Sequence, residues 1–423
     1  MKPTSLFKLV CLFSLLVLNS TLIHAQVTAV KAGKLLDPET GTITNNQIIL
    51  VEGQTIKAIG PDIKIPDGAS IVDLSNRTVM PGLFDAHTHL CMTTRRVRHG
   101  GNYYFTSLVD SNAYRAIQGV ANARSMLETG FTTIRDIGNS GNYIDSDLRR
   151  SIDEGLVPGP TIINAGRIIA PYGGQFQLQP DKPELGNPEY FFADTRDELK
   201  KAVRENIHYG ARVIKLVVDD QRYIYSADDI RFVIEEAARA GLKVAAHAWT
   251  EAGTRNAAEA GVASIEHGFN ATSDTFAIAK RNGVSLVPTP VMESGFRELN
   301  LSGSYQKMNK NWFADPVKRA FEAGVTLVFG PDVIITPEGS TRGGLSIETI
   351  DNWVEAGIPN KVILQALTTN AARLLGVEKE RGALRVGMKA DIIATVANPL
   401  ENIQTLKTVT FVMKNGSVFK ENK

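Results

Sequence analysis

The chain has 423 residues, 43% hydrophobic and 22% charged, an ordinary globular balance that argues against disorder and leaves room for one large catalytic domain and a smaller one. Its 46 basic and 45 acidic side chains nearly cancel, which gives no reason to expect nucleic acid or an anionic membrane surface as a partner. Residues 1–25 read as a secretory signal peptide. Lys2 and Lys8 form a basic start, Leu9 to Leu18 an apolar core, and Ile23-His24-Ala25 ends on a small residue before Gln26. The apolar stretch is short for a membrane span of roughly 20 residues. Cleavage is therefore favoured over an uncleaved anchor, and the expected location is periplasmic or secreted. Cys11 leaves with the signal peptide, so Cys91 remains alone and no internal disulfide can form.

From 26 to 80 the pattern is short apolar runs broken by turn residues: Val27-Thr28-Ala29-Val30, Ile48-Ile49-Leu50-Val51, Thr55-Ile56-Lys57-Ala58-Ile59 and Ser70-Ile71-Val72-Asp73. These predict β-strands with turns at Gly53 and Asp67-Gly68. From 81 to 380, strands predicted at 80–87, 131–137, 161–166, 211–218, 242–247, 262–267, 283–289 and 325–331 alternate with amphipathic helices. One such helix spans 227–238, with Ser226 as its N-cap and Gly241 as its stop. Eight strands over roughly 250 residues predict an α/β fold, a (β/α)8 TIM-type barrel. Residues 381–423 return to short strands, Asp391-Ile392-Ile393-Ala394-Thr395-Val396 and Val409-Thr410-Phe411-Val412-Met413, and Asn415-Gly416 signals a hairpin. The two chain ends, 26–80 and 381–423, are expected to combine into one small β-sandwich domain. The connections 171–177 and 290–315 are long, the usual place for specificity and lids.

Chemistry concentrates at the strand ends. Asp85-Ala86-His87-Thr88-His89 closes the apolar run Val79-Met80-Pro81-Gly82-Leu83-Phe84. Two histidines two residues apart on a strand face the same side, so both imidazoles can reach one metal ion. His247 ends Leu242-Lys243-Val244-Ala245-Ala246, His267 ends Val262-Ala263-Ser264-Ile265-Glu266, and Asp332 follows Val325-Thr326-Leu327-Val328-Phe329-Gly330-Pro331. Any one histidine reads equally well as a hydrogen-bonded core residue. Four of them ending predicted barrel strands, with a carboxylate ending the last, point to a metal site at one mouth of the barrel. Lys215 sits inside Arg212-Val213-Ile214-Lys215-Leu216-Val217-Val218. A buried ammonium is costly, which favours the neutral amine. A neutral amine can add carbon dioxide and offer a carbamate to two cations; the alternative is a lysine snorkelling to the rim. Tyr223 and Tyr225 follow this strand, either within reach of a substrate carbonyl or carboxylate or as loop aromatics before a helix cap. Arg135-Asp136 is expected to form a structural ion pair, and His99 and His208 read as bystanders.

Over almost everything after the signal peptide, the chain resembles the amidohydrolase superfamily, in the branch with imidazolonepropionases and Xaa-Pro dipeptidases. The carriers are Pro81-Gly82-Leu83-Phe84-Asp85-Ala86-His87-Thr88-His89, Thr132-Thr133-Ile134-Arg135-Asp136, Ile214-Lys215, Ala245-Ala246-His247-Ala248, Ser264-Ile265-Glu266-His267-Gly268 and Gly330-Pro331-Asp332. The tail from Gly382 to Ile393 resembles the segment returning to the family's β-domain. The resemblance implies two divalent ions, with zinc expected. His87, His89 and Asp332 would hold one, His247 and His267 the other, and carboxylated Lys215 would bridge them. Asp332 would also be the general base and then acid for a water activated between the cations. It slightly favours Tyr225 over Tyr223 as a substrate contact. Two departures stand out. Gly173-Gly174-Gln175 replaces a common Gly-Gly-His, so Gln175 would offer substrate a neutral hydrogen bond, and Pro331 precedes Asp332 where threonine is common.

The expected function is an exported metal-dependent hydrolase of an amide C–N bond, in a dipeptide of Xaa-Pro type or an N-acyl amino acid. The alternative is a cyclic amide, lactone or phosphoester hydrolase, because the same hydroxide attacks all of these. An intact ligand set disfavours a non-catalytic binding protein. The expected partner is a small-molecule substrate, with no nucleic acid and no stable membrane span after cleavage; a homo-oligomer is left open.

Overall fold

A computed structural model describes residues 27–290 and 314–422. The expected signal peptide and nearly all of the 290–315 connection lie outside the described residues. Among the described residues no helix is long and apolar enough to cross a membrane.

The N-terminal strands are β1 (Val27–Asp37), β2 (Thr42–Glu52), β3 (Thr55–Gly60) and β4 (Ser70–Pro81). The central region supplies β5 (Leu83–Thr88), β6 (Phe131–Asp136), β7 (Thr161–Asn164), β8 (Ile168–Ala170), β9 (Tyr190–Phe192), β10 (Ile214–Val217), β11 (Val244–Ala248), β12 (Ser264–His267) and β13 (Ser285–Val287). The C-terminal strands are β14 (Ile392–Thr395), β15 (Phe411–Lys414) and β16 (Ser417–Glu421).

The two chain ends do join. β14 pairs antiparallel with β4, giving one seven-stranded sheet in the order β16-β15-β14-β4-β1-β2-β3. Where a sandwich was expected, the hydrogen bonds therefore make a single sheet. It curves back on itself: Thr55 at the start of β3 bridges to Lys389, just before β14. The inward residues Val30, Ile49, Val51, Val72, Ile392, Phe411 and Met413 then share one core. The β15–β16 hairpin turns at Asn415 (φ 48°) and Gly416 (φ 76°), both left-handed, as a type I′ turn needs.

The central strands are parallel and nearly all fully buried, as strands covered on both faces must be. They form two sheets, β5-β6-β7 and β13-β12-β11-β10-β8-β9. The helix Ala227–Ala238 starts where expected, with Ser226 accepting from the Asp229 amide, and Gly241 (φ 72°) follows its end. Two strand expectations change. The run 161–166 ends early as β7, and after Gly166 (φ 70°) an unpredicted strand, β8, follows in the other sheet; the Asn164 carbonyl accepts from the Arg212 amide at 2.7 Å. The run 325–331 carries an isolated bridge, Leu286 with Leu327, in place of a strand. Pro331 lacks the N–H that a ladder needs. Even so, this segment lies between the two sheets: Val328 donates to Leu286, and the Phe329 carbonyl accepts from Ala86. It passes so close to β5 that a Cβ at Gly330 would stand 2.8 Å from the His87 nitrogen. The carboxyl ends of β5, β11 and β12 and the turn after 331 are thereby brought to one mouth.

Candidate metal centre

Three of the predicted ligands meet directly: one ligand atom each of His87, His267 and Asp332 lies within 4.8 Å of the others. Asp332 Oδ1 is 3.3 Å from His89 Nε2 and 3.6 Å from His87 Nε2. His267 continues the cluster to His247, their ring centroids being 4.5 Å apart, while His87 and His267 stand 5.2 Å apart. A second group, Asp219, Asp220 and His247, adjoins the first.

The rings of His87, His89 and His267 are each aimed by a partner on the far side. His87 Nδ1 faces Glu266 Oε2 at 2.8 Å, His89 Nδ1 the Gly138 carbonyl at 2.7 Å, and His267 Nδ1 the Thr289 hydroxyl at 2.7 Å. A proton held on Nδ1 by an acceptor leaves the Nε2 lone pair free for a cation, the usual arrangement around ligating histidines. Glu266 is itself held by Arg135 Nη2 at 2.7 Å and by the Ser264 hydroxyl.

The electrostatics suit the same role. Burial pushes His87 down to about 4, so its ring is neutral at pH 7. Burial and the neighbouring His247 and His87 hold His267 well below its ordinary value. Burial also pulls the Lys215 ammonium, 2% exposed, down to about 8, within reach of the neutral amine near physiological pH. Burial opposes charge on Asp332, but His87, His89 and Lys215 outweigh it and hold the carboxyl down to about 2.

These residues fit a divalent cation. Neutral imidazole nitrogens and carboxylate oxygens are its ordinary donors. Asp332 Oδ1 and His247 Nε2 are buried and make no hydrogen bond among the described residues. Buried polar atoms without partners are rare, and a cation would satisfy both.

Three expectations need correction. Tyr225 is 1% exposed and its hydroxyl is engaged within the protein, donating to the Ala193 carbonyl at 2.5 Å. The cause is a backbone bond from Tyr225 to Val218 that doubles the loop back. Tyr223 stays 51% exposed, its ring edge against Tyr225. Arg135 and Asp136 do not pair, because adjacent strand residues point to opposite sides. Arg135 goes to Glu266, while Asp136 accepts from the Leu90 amide at 2.7 Å. Gln175 is committed within the protein: Nε2 donates to Asp220 at 2.8 Å, and Oε1 accepts from the Tyr190 hydroxyl at 2.9 Å. His99 is a buried structural residue, 3.1 Å from Asp110.

Sequence reasoning missed Glu266, Asp219, Asp220, Thr289 and Arg342. Arg342, fully buried, donates to the His89, Met92 and Val333 carbonyls, tying the loop after β5 to the turn that carries Asp332. Glu266 and Asp220 could have been suspected from their adjacency to His267 and the Lys215 strand; Arg342 carries no local signal.

Residues 78–419 match the amidohydrolase family. The ochratoxinase of Aspergillus niger is 30% identical, over 94% of this chain and 87% of its own. An imidazolonepropionase of Fusobacterium nucleatum is 24% identical over 83% of this chain and 85% of its own. The crystal structure of a Xaa-Pro dipeptidase with methionine in its active site aligns with a TM-score of 0.81 and 27% identity, over 93% of this chain and all of that one. These relatives carry the TIM-type barrel with an additional domain. The chain belongs to the amidohydrolase family and is a hydrolase of carbon–nitrogen bonds.

Proposed function

We propose that the protein is an exported, binuclear metal-dependent hydrolase that cleaves the amide bond of a Xaa-Pro dipeptide or an N-acyl amino acid. The observation that carries the reading is the convergence of His87, His267 and Asp332 at one barrel mouth, with His89, His247 and buried Lys215 around them. His87, His89 and Asp332 would hold one ion and His247 and His267 the other, with Lys215 bridging as its carbamate; zinc suits these donors. When bound, the ions supply an activated water nucleophile and a Lewis acid for the scissile carbonyl. Asp332 is ionised at neutral pH and partly open to the mouth, so its carboxylate accepts the attacking water's proton and returns it to the leaving nitrogen. Glu266 and Thr289 keep the rings of His87 and His267 aimed inward through the cycle. The Xaa-Pro dipeptidase and ochratoxinase likenesses support an amide substrate, and the leader-like residues 1–25 support export.

The test is amine release by purified, zinc-loaded protein from a panel of Xaa-Pro dipeptides, other dipeptides and N-acyl amino acids. Selective turnover is expected. Silence across the panel with metal bound would refute the substrate class and shift the reading to cyclic amides, lactones or phosphoesters.

A further inference from the structure

We propose that Asp220 is an additional metal ligand, sharing with His247 the cation on that side of the centre. The inference deepens the metal-dependent reading above and rests on it. Asp220 follows β10 three residues after Val217, the last strand position, whose register partner on β11 is His247. Its Oδ2 lies 2.8 Å from His247 Nε2. His247 is 4% exposed, and its Nε2 is buried and makes no hydrogen bond among the described residues, so the short contact is not aligned for a shared proton. Two lone-pair-bearing atoms at such a distance repel unless a positive charge lies beside both. With metal–nitrogen and metal–oxygen bonds of about 2.0–2.2 Å, two ligands on one ion stand about 2.9 Å apart at a right angle and about 3.4 Å apart at a tetrahedral angle. The observed spacing lies at the short end of that range, so one cation reaches both atoms with little movement of either side chain.

The adjacent carboxylate shows what a purely structural role looks like. Asp219 has both oxygens occupied by the Trp249 amide and the Thr250 amide and hydroxyl, capping the turn after β11. A Cβ at Gly253 would fall 2.3 Å from its Oδ2, so the helix Glu251–Ala260 packs directly on it. Asp219 is a positioning residue. Asp220 is instead aimed at His247 by a relay: the Tyr190 hydroxyl fixes the Gln175 amide, whose Nε2 then holds Asp220 Oδ2. A glutamine donates here without competing for the cation, since its oxygen is turned away to Tyr190.

The experiment strips the full chain of metal with a chelator and reloads it with Zn2+ or Co2+. Zinc stoichiometry and Kd come from competition with a chromophoric chelator, and the visible spectrum of the Co2+ form reports coordination number. For Asp220→Asn, at least about a tenfold loss of affinity at one ion is expected, together with a changed Co2+ spectrum. Gln175→Leu, which removes the aiming donor together with the acceptor of the Tyr190 hydroxyl but leaves the carboxylate in place, should weaken the same ion by less. Wild-type Kd, stoichiometry and Co2+ spectrum in D220N overturn the proposal. A change confined to KM for substrates with a free amine also overturns it, assigning Asp220 to substrate contact. If D220N loses the wild-type circular dichroism, Gln175→Leu decides: weaker binding supports the proposal and unchanged binding refutes it. A wild-type protein that takes up no metal defeats the metal-centre reading itself, and this proposal with it.

Discussion

Replacing Glu266 with Gln probes how the centre is held. Glu266 is fully buried, 2.7 Å from Arg135 on one oxygen and 2.8 Å from His87 on the other. Coulomb attraction from Arg135, helped by His87, overcomes burial and keeps the carboxyl well below its ordinary range, so it is ionised at neutral pH. Glutamine keeps the shape and removes the charge. Arg135, 2% exposed, is then left with the Ala86 carbonyl and the Ser264 hydroxyl and no anion on this side. Leaving one member of a buried pair unmatched costs about 3–5 kcal/mol. The amide must also present either its NH2 to Arg135 or its NH2 to His87. In the second case His87 carries its proton on Nε2, the atom that faces Asp332. Metal affinity should therefore fall about 10- to 100-fold, the usual effect of removing an orienting partner. Urea denaturation of metal-free protein reads the first effect, and chelator competition reads the second. A stability loss under about 1 kcal/mol combined with wild-type metal affinity would refute the argument on both counts.

Lys215→Ala should lose bound metal at one or both sites, measured by elemental analysis after loading with bicarbonate present; unchanged metal content would remove the bridging role. Arg342→Lys replaces a fork that reaches three carbonyls with a single ammonium. It should cost about 2–3 kcal/mol in denaturant unfolding through buried acceptors left unmatched, and an unchanged midpoint would show that the tie between the two loops is dispensable. Burial raises Asp145 from its ordinary 3.8 to about 7, so the native state binds this proton more tightly than the unfolded chain does. That contribution is complete below about pH 4 and is lost as pH rises through 7. Asp145→Asn should remove the decline, gaining on the wild type by about 2–3 kcal/mol between pH 5 and 8; parallel stability curves would contradict it.

How much was legible follows from where the information sits in the chain. His87, His89, His247, His267 and Asp332 each close an apolar run, and a run of period two or full burial places its last residue at a strand end. The union of the two chain ends was readable for a similar reason: both show the same short-strand pattern, and each lacks a second face to bury against. The network behind the ligands was not readable. Glu266, Arg135 and His87 come from three different strands, and Arg342 comes from a helix start far along the chain. Such pairings depend on stagger between strands, which composition does not encode. Tyr225 failed for the converse reason, since proximity in sequence to Lys215 says nothing about which way the loop folds after Val218.

The backbone shows why the mouth depends on that hidden network. Of the eight non-glycine residues with positive φ among the described residues, four (Asp220, His267, Thr289 and Asp332) line the centre or touch a residue that does. Each such conformation costs on the order of 1–3 kcal/mol and persists only where the surroundings over-determine it. Here the surroundings are specific. Thr289 holds His267, Gln175 holds Asp220, and the Asp332 amide donates to the His87 carbonyl at 3.2 Å. Gly330 lets the last segment approach β5 closely enough for that bond to form. The strained residues and their partners therefore form one connected set across β5, β10, β12 and the turn at 332. In the proposed metal centre, loosening any member would free a donor to relax away from the cation, which would make the supports as consequential for metal binding as the donors themselves.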